Sequence, residues 1–239
     1  MMAPSTPSEL VILAGGINSR MESLRGTIYK AFLPIHGLSC IARQVIRAAA
    51  YGIRRVDVIV DEYDPALSVL ATSGQTAAIE YTPQVRVLVH PGSPAEKIVW
   101  WHGSNETEPT TIVVVGDTLA PVDISALWRS SVVGAVSVIA VANVSLPFGV
   151  VKVEGDAVRA FLDNPALEMQ VNTGYMALTE AAIALMAEGL DLNPALGHLA
   201  EDGKLKALVC KGPIITVDSL GSLAAAHDVL RTETGDATV

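Results

Sequence analysis

Aromatic and charged residues are scarce in this 239-residue sequence. Phe, Trp and Tyr make up 5% of the chain and charged residues 17%, whereas hydrophobic residues make up 50%. Intrinsically disordered chains combine low hydrophobicity with high charge, so this composition excludes disorder of the chain as a whole. A chain of this length buries enough surface to fold without a disulfide or a structural metal. We therefore expect a folded protein with a core of Val, Ala, Leu and Ile.

Basic residues are also in deficit. The chain has 16 Lys and Arg against 25 Asp and Glu, a formal net charge of −9. Proteins that bind duplex nucleic acid use a surplus of cations to displace counterions, so we expect no nucleic-acid partner. An acidic protein can still bind a nucleotide where a few cations are focused at one site.

Cysteine is rare as well. Cys40 and Cys210 lie far apart in sequence and in no CxxC or Cys/His cluster. This arrangement favours two buried free thiols over a disulfide. The N-terminal segment has neither a basic region nor an apolar run, so it does not resemble a secretory signal.

Residues 130–151 carry no charge, and such a length is compatible with a membrane span. Gly134 and the polar or turn-forming residues between Asn143 and Pro147 favour two buried strands joined by a turn instead. We therefore expect a cytoplasmic protein without a membrane partner.

Short apolar runs alternate with helical patterns in the first half of the chain. The pattern predicts strands at 10–14, 55–60, 85–89 and 111–115, and helices at 38–51, 64–70, 95–101 and from 124 onward. Such alternation is typical of a parallel sheet with helices on both faces.

The second half is richer in predicted strands. These are expected at 135–141, 148–153, 157–162, 170–178, 205–209 and 214–217, with a hairpin turn at 154–156, helices at 180–187 and 222–230, and a frayed tail from 233. We predict a three-layer α/β/α fold with a mostly parallel, Rossmann-like central sheet, which the more antiparallel second half shares.

The strongest motif is Leu13-Ala14-Gly15-Gly16, followed by the cations Arg20 and Lys30. Glycines allow close approach of a ligand, and successive backbone N–H groups form an anion-binding concavity. With two cations added, the loop suits a triphosphate; the alternative is an ordinary strand–helix turn with two surface cations. A dinucleotide fold needs G-x-G-x-x-G and an immediate helix, and these adjacent glycines with a long loop exclude it.

A second motif, Gly116-Asp117, follows the apolar strand predicted at 111–115. An acid at the carboxyl end of a central parallel strand lies in the crevice where α/β sheets bind ligands. A carboxylate there can hold Mg²⁺ against phosphate oxygens. The alternative is a loop acid that caps the next turn.

Together with Leu33-Pro34-Ile35-His36-Gly37, these motifs resemble the sugar-1-phosphate nucleotidyltransferases, which have a nucleotide-diphospho-sugar transferase fold. The interval of ten positions from Arg20 to Lys30 matches that family. The resemblance implies that Arg20, Lys30 and Asp117 are catalytic. The two cations would hold the β- and γ-phosphates, and Asp117 would bind Mg²⁺.

The resemblance also implies the remaining contacts. Those with the nucleotide would be Leu13, Ala14, Gly15, Gly16, Asn18, Ser19, Arg20, Lys30, His90, Ser93 and Gly116. Those with the sugar would be Gly149, Asp163, Asn172, Thr173 and Gly174. Asp218 would be the second metal ligand, with a helix N-cap as the alternative.

Several positions depart from the family pattern, among them Asn18, Tyr29 and Asp163, and the departure that matters most for the chemistry is at Asn164. In 161–165, Asn164 stands where the family has the Lys that contacts the sugar phosphate. Another cation would have to serve, and Lys152 and Arg159 are the nearest in sequence.

We therefore expect one domain spanning 1–239, with a nucleotide-binding half at about 9–130 and an acceptor half at about 131–231. It would use Mg²⁺ to join a nucleoside triphosphate to a sugar 1-phosphate with release of pyrophosphate, and the candidate assembly is a homodimer. Two alternatives remain open. One is a non-sugar acceptor, as in molybdenum-cofactor guanylyltransferases and methylerythritol-phosphate cytidylyltransferases, which share the glycine-rich loop. The other is a non-catalytic nucleotide-binding domain.

Overall fold

The computed structural model describes residues 6–15, 29–62, 64–73, 82–105, 108–145, 149–163 and 165–235. The strands are β1 (Glu9–Leu13), β2 (Pro34–Ile35), β3 (Leu38–Ser39), β4 (Arg55–Val60), β5 (Gln84–Val89), β6 (Thr110–Val115), β7 (Thr118–Leu119), β8 (Ser137–Ser145), β9 (Val150–Glu154), β10 (Ala157–Leu162), β11 (Ala166–Thr179), β12 (Leu205–Val209) and β13 (Ile215–Thr216). The helices are α1 (Cys40–Ala50), α2 (Pro65–Thr72), α3 (Pro94–Ser104), α4 (Ile124–Gly134), α5 (Glu180–Ala187), α6 (Leu192–Glu201) and α7 (Leu220–Gly235), with a 3₁₀ turn at Lys30–Phe32.

Seven of these strands form the central sheet, in the spatial order β12-β8-β11-β6-β1-β4-β5. β1 pairs in parallel with β4 and β6, and β4 pairs in parallel with β5. β11 runs antiparallel between β6 and β8, and β12 is parallel to β8. The segments that follow β5, β4, β1 and β6 therefore meet at one edge of the sheet, where ligands bind in open α/β folds.

Helices cover both faces of this sheet because its inner strands are apolar on both faces. Leu10 and Ile12 of β1 pack with α1, α2 and α4 on one face. Val11 and Leu13 pack with α3, α5 and α6 on the other. This near-continuous apolar sequence is typical of a strand buried on both sides. The predicted three-layer arrangement with a mostly parallel sheet is thus confirmed.

The predicted elements of the first half are confirmed within a few residues of their expected bounds. Cys40 and Cys210 are buried free thiols, as expected. Within the described ranges, no helix combines the length and the apolar character that a membrane crossing requires.

The expectation of two buried strands within 130–151 is confirmed for the first strand, β8, and wrong for the second. Its first residues complete α4, and β8 follows from Ser137. The second strand, β9, is largely exposed and pairs with β10 in a separate hairpin instead of joining the central sheet. Exposed Val151 and Val153 explain the error, because apolar composition alone does not show whether a strand is covered.

Two further elements differ from expectation. Helix α6 was not expected, although Leu192, Leu196 and Leu199 are buried at helical spacing and Asp191 caps the first turn. The last helix begins at Leu220 and continues to Gly235, so the tail expected to fray from 233 is helical up to that residue.

Candidate active site

Lys30 links two aspartates that lie far apart in the sequence. Its Nζ atom is 2.5 Å from Asp117 Oδ2 and 2.9 Å from Asp218 Oδ1. Burial lowers the pKa of Lys30, but hydrogen bonds to the two carboxylates outweigh that effect and raise its pKa above the usual value. The ammonium is therefore charged near neutral pH. Because it contacts both carboxylates, its position is one from which another cation could also contact both of them.

Asp117 is positioned by the close approach of β6 to β1. Gly116 N donates to Leu13 O at 2.8 Å, and a Cβ atom on Gly116 would lie 2.9 Å from that same oxygen. No larger residue fits without moving the backbone. Next to it, Gln44 Nε2 of α1 donates to the carbonyls of Val115 and Thr118 at 3.0 and 2.7 Å. The turn that carries Asp117 is thus fixed from two sides.

Asp218 is brought to this turn by a short two-stranded ribbon. β13 pairs antiparallel with β7, and Val217 N then donates to Asp117 O at 2.9 Å. Ser219, not Asp218, caps the following helix, since Ser219 Oγ accepts from Ser222 N at 3.1 Å. The carboxylate of Asp218 therefore contacts Lys30 instead of serving as the helix N-cap. Similarly, Asp123 caps α4, and Asp117 does not.

The glycine-rich segment is described only at its start. Leu13 and Ala14 are buried, and Gly15 follows at the end of β1. The predicted nucleotide contacts Gly16, Asn18, Ser19 and Arg20 lie outside the described residues. A Cβ atom on Gly15 would overlap Lys97 Nζ and lie 2.8 Å from the carboxyl group of Asp61. Gly15 therefore packs directly on an ion pair.

This ion pair was not found by sequence reasoning. Lys97 Nζ of α3 lies 2.6 Å from Asp61 Oδ1, and the Lys97 side chain is 4% exposed. Asp61 follows β4, so the pair lies beside Gly15 on the side away from Asp117, because β1 separates β4 from β6. The sequence feature that could have predicted the pair is the position of Lys97 on the buried face of a helix, next to Ala95 and Ile98. Buried lysines are rare unless they are paired.

Two predicted nucleotide contacts lie on the segment between β5 and α3. The His90 ring stacks on Trp100, with centroids 4.6 Å apart and planes inclined by 5°. Ser93 forms a capping box with Glu96: Ser93 Oγ accepts from Glu96 N, and Ser93 N donates to Glu96 Oε2 at 2.6 Å. The Ser93 hydroxyl is thus already used in capping α3.

The predicted sugar contacts at 172–174 lie next to the carboxyl end of β6. Gly174 has a positive φ of 79°, and a Cβ atom there would be 3.0 Å from Val115 Cβ. Asn172 Oδ1 accepts from Gly174 N at 2.9 Å and so stabilises this bend. Thr173 is buried and donates to Ala140 O at 2.9 Å. The Thr173 side chain therefore points into the sheet, and any contact it makes with a sugar would come from its backbone.

The other predicted sugar contacts lie on the β9–β10 hairpin. Gly149 packs under the ring of Phe161, and Asp163 is exposed just after β10. Asn164 lies outside the described residues. Of the two alternative cations, Arg159 forms an exposed ion pair with Glu154 at 3.2 Å, and Lys152 lies on β9.

Comparison with solved structures shows the same fold in several proteins. A Bacillus anthracis protein described as a glucose-1-phosphate thymidylyltransferase, in complex with a sucrose, matches with a TM-score of 0.71 and 18% identity, covering 93% of this chain and 95% of that chain. HddC from Yersinia pseudotuberculosis matches with a TM-score of 0.68 and 20% identity over 93% of this chain and 99% of that chain. A UDP-glucose pyrophosphorylase complexed with UDP-glucose gives a TM-score of 0.73 and 16% identity over 95% and 100% of the two chains.

At these identities the structural matches establish the fold alone. No curated protein sequence is significantly similar to this chain. The family model described as "Nucleotidyl transferase" matches residues 9–200, which include β1, Lys30, Asp117 and most of the half predicted to bind the acceptor. The chain therefore belongs to the nucleotidyl transferase family.

Proposed function

We propose that this protein transfers a nucleotidyl group from a nucleoside triphosphate to a sugar 1-phosphate, with release of pyrophosphate and formation of a nucleoside-diphosphate sugar. The observation that carries the proposal is the contact of one ammonium, Lys30 Nζ, with the carboxylates of both Asp117 and Asp218. This arrangement lies at the edge of the sheet where α/β folds bind ligands.

The two carboxylates fit a magnesium ion. Mg²⁺ in phosphoryl-transfer sites is usually held by one or two carboxylates together with substrate phosphates and water. Over the described ranges, no cluster of three or more His, Cys, Asp or Glu suited to a metal is found, so a site completed by substrate phosphate fits better than an all-protein cage. When bound by Asp117 and Asp218, Mg²⁺ would neutralise charge on the α-phosphate.

Lys30 would act as the mobile cation of the site. Its side chain is 26% exposed, so it can leave the carboxylates and reach a bound triphosphate without a change in the sheet. Its raised pKa keeps it protonated near neutral pH. There, with Arg20 as the resemblance implies, it would stabilise negative charge on the departing pyrophosphate.

The reaction would consist of attack by a sugar-phosphate oxygen on the α-phosphorus. The bond between the α-phosphorus and the oxygen that bridges it to the β-phosphate would break, and that oxygen would leave as a terminal oxygen of pyrophosphate. The attacking phosphate is already ionised near neutral pH, so the step needs alignment and charge neutralisation more than a general base. Asn172 and Gly174 lie beside the end of β6 and would orient the sugar, with Gly149 and Asp163 as further contacts. Because Asn164 is neutral, Lys152 is our candidate for the acceptor phosphate.

The proposal is tested by measuring pyrophosphate release with each common nucleoside triphosphate, a panel of sugar 1-phosphates, and Mg²⁺ or chelator. We expect turnover with one base and one sugar class, dependent on Mg²⁺ and lost in Asp218→Asn. A matched control is Asp202→Asn, because Asp202 precedes β12 and lies at the opposite edge of the sheet. Equal loss of turnover in both variants would contradict the assigned role of Asp218.

Replacement of the family's phosphate-side lysine by Asn164 favours a second candidate, a nucleotide-binding domain without transfer activity. A ligand present at about 100 times its Kd stabilises a protein by about 2.7 kcal/mol, which thermal unfolding detects as a shift of several degrees. A shift with one triphosphate but no pyrophosphate release with any acceptor, including non-sugar phosphates, would establish this second candidate.

A further inference from the structure

The buried ion pair of Lys97 and Asp61 lies at the ligand edge of the sheet but takes no part in the proposed transfer step. Lys97 Nζ is 2.6 Å from Asp61 Oδ1, and the Lys97 side chain is 4% exposed, whereas that of Asp61 is 26% exposed. A buried ion pair is weak evidence for stability, since apolar residues of similar volume often stabilise a fold equally well or better. Its position at the ligand edge points to a role in binding instead.

The sheet itself places Asp61, which directly follows the last residue of β4. The parallel pairing of β4 with β1 and β5 continues past the ends of the strands. Ala14 N donates to Ile59 O at 2.9 Å. His90 N donates to Val60 O at the same distance. Asp61 therefore lies between the end of β1 and the start of the segment that carries His90.

The carboxylate of Asp61 is held in one position. Tyr29 Oη accepts from Glu62 N at 2.7 Å, which fixes the backbone next to Asp61. Lys97 Nζ contacts one oxygen of the carboxylate, and Gly15 packs directly on the pair. A polar group whose geometry is fixed by its surroundings is suited to discriminate between similar ligands.

The spacing of the strands relates this pair to the proposed position of the phosphates. Neighbouring strands are about 4.8 Å apart, so Asp61 after β4 lies about 10 Å across the sheet from Asp117 after β6, with β1 between them. The predicted sugar contacts at 172–174 and on the β9–β10 hairpin lie on the other side of β6. The ribose separates the base of a nucleotide from its α-phosphate, so the base would extend over β1 towards Asp61. This placement of the base rests on the proposed function.

A carboxylate discriminates between bases by the hydrogen-bond donors that they present. Guanine has two adjacent donors, N1–H and N2–H₂, which match the two oxygens of one carboxylate. Uracil and thymine have one N–H between two carbonyl oxygens, and the amino group of cytosine or adenine lies next to a ring nitrogen that accepts. Those acceptors would face the carboxylate oxygens and repel them. Hydrogen bonds from a base would add to the interactions that Asp61 already makes, because an ionised carboxylate has about four lone-pair sites.

We propose that Asp61 recognises guanine and that the nucleotide substrate is GTP. The carboxylate of Asp61 accepts from N1–H and N2–H₂ of the base. Lys97 is a positioning residue, which orients the carboxylate and compensates its charge when the base excludes water. Gly15 allows the base to approach the pair, since any larger side chain there would overlap Lys97 Nζ.

The test measures the affinity of the full chain for triphosphates by calorimetric titration with Mg²⁺ and without an acceptor. The probes are GTP, UTP, CTP, ATP, inosine triphosphate, which lacks the N2 amino group, and xanthosine triphosphate, in which a carbonyl replaces that group. We expect GTP to bind about tenfold or more tightly than each of the others, the discrimination typical of one bidentate contact with a base. Tighter binding of another triphosphate would overturn the assignment of guanine and leave the proposed transfer reaction intact.

The variant Asp61→Asn distinguishes recognition of the base from a purely structural pair. Its amide accepts from N1–H and donates to the C2 carbonyl of xanthine, but its N–H₂ group faces the N2 amino group of guanine. We expect Asp61→Asn to bind GTP about tenfold or more weakly than wild type does, and to prefer xanthosine triphosphate to GTP. Equal weakening of all six triphosphates would limit the pair to a structural role and overturn the proposal.

Asp64→Asn is the matched control. It makes the same change three residues later, at the residue that caps α2, and Asn caps a helix about as well as Asp. This variant should keep the order of affinities found for wild type. The same change of preference in Asp64→Asn and in Asp61→Asn would contradict the role of Asp61.

If Asp61→Asn does not fold because Lys97 is left buried without its partner, the double variant Asp61→Asn/Lys97→Met decides, since it removes the pair. It should lose the preference for GTP over xanthosine triphosphate, and a retained preference would overturn the proposal. Binding of GTP without pyrophosphate release for any acceptor would contradict the proposed transfer reaction and still support the guanine site. Absence of binding by every triphosphate would contradict both.

Discussion

Two ion-pair clusters lie on the central sheet, one around Asp57 and one around Lys30, and they differ in burial and in hydrogen bonding. Asp57, within β4, is 1% exposed; Arg86 donates to both of its oxygens at 2.7 and 2.6 Å, and Trp101 Nε1 donates at 2.7 Å. Asp117 and Asp218, at strand ends, are 12% and 34% exposed and share one lysine.

Asp57 is held as a structural charge inside the sheet, whereas Asp117 and Asp218 are the charges that we propose bind ligand. Removing a hydrogen-bond partner of Asp57 would leave its buried carboxylate with less compensation for the loss of water. We therefore expect the donors around it to contribute to stability. Asp117 and Asp218, by contrast, are partly exposed and share the ammonium of Lys30, which we propose is exchanged for a ligand cation. A buried carboxylate within a strand that accepts several hydrogen bonds is typical of a structural role. A lysine shared by two partly exposed carboxylates at strand ends is typical of a ligand-binding site.

The largest effect is expected at Asp117. Asp117→Asn keeps the size of the side chain but removes the charge that would hold Mg²⁺ near the α-phosphate. We expect turnover to fall by roughly a hundred- to thousandfold, the range found when one group that stabilises transition-state charge is removed. Pyrophosphate release measures this. A fall of less than twofold, with Asp202→Asn as the control, would remove Asp117 from the mechanism.

The opposite result is expected at Asp57. Asp57→Asn leaves the Arg86 guanidinium and the Trp101 N–H against a neutral amide, and we expect a loss of about 3–5 kcal/mol in the free energy of unfolding. Urea denaturation measures the loss. Turnover per folded molecule should stay unchanged, because Asp57 lies inside β4 and not at the carboxyl edge. Full stability of this variant would contradict the structural assignment.

Lys97 tests a case between the two clusters, since it is as buried as Asp57 but lies at the ligand edge beside Gly15. We expect Lys97→Met to raise the KM for the triphosphate about tenfold with a smaller change in kcat, because one charge-assisted contact near the glycine segment is lost. Steady-state kinetics separates the two constants. Lys204→Met, at an exposed lysine, is the control, and an unchanged KM would limit Lys97 to a structural role.

The smallest effect concerns pH. The pKa of Lys30 is raised in the folded protein, because its hydrogen bonds to Asp117 and Asp218 exceed the cost of burial. Its contribution to stability is therefore fully present below the unfolded pKa of about 10.4 and is lost as pH rises through the higher folded pKa. The difference in unfolding free energy between wild type and Lys30→Met should be about 1 kcal/mol or less and should shrink above about pH 10.4. A difference that grows with pH would contradict this assignment.

Much of the fold could be predicted because its signals are local. Apolar runs followed by glycine, and apolar residues at helical spacing, correctly predicted β1, β4, β5, β6 and α1–α5. The predictions failed where local composition does not reveal the environment. Val151 and Val153 resemble buried strand residues but lie on an exposed hairpin.

The candidate site divides in the same way. The sequence alone determined that Gly15 and Asp117 follow apolar strands and that Lys30 lies in a family-like segment, because each of these facts depends on neighbours in the chain. Only the tertiary structure decided that the β7–β13 ribbon brings Asp218 to Asp117, and that Ser219 caps α7 instead of Asp218. It also decided that Gln44 holds the turn of Asp117 and that Lys97 pairs with Asp61 beside Gly15. Those contacts join residues many positions apart, and their geometry depends on how strands and helices pack, which local periodicity does not specify.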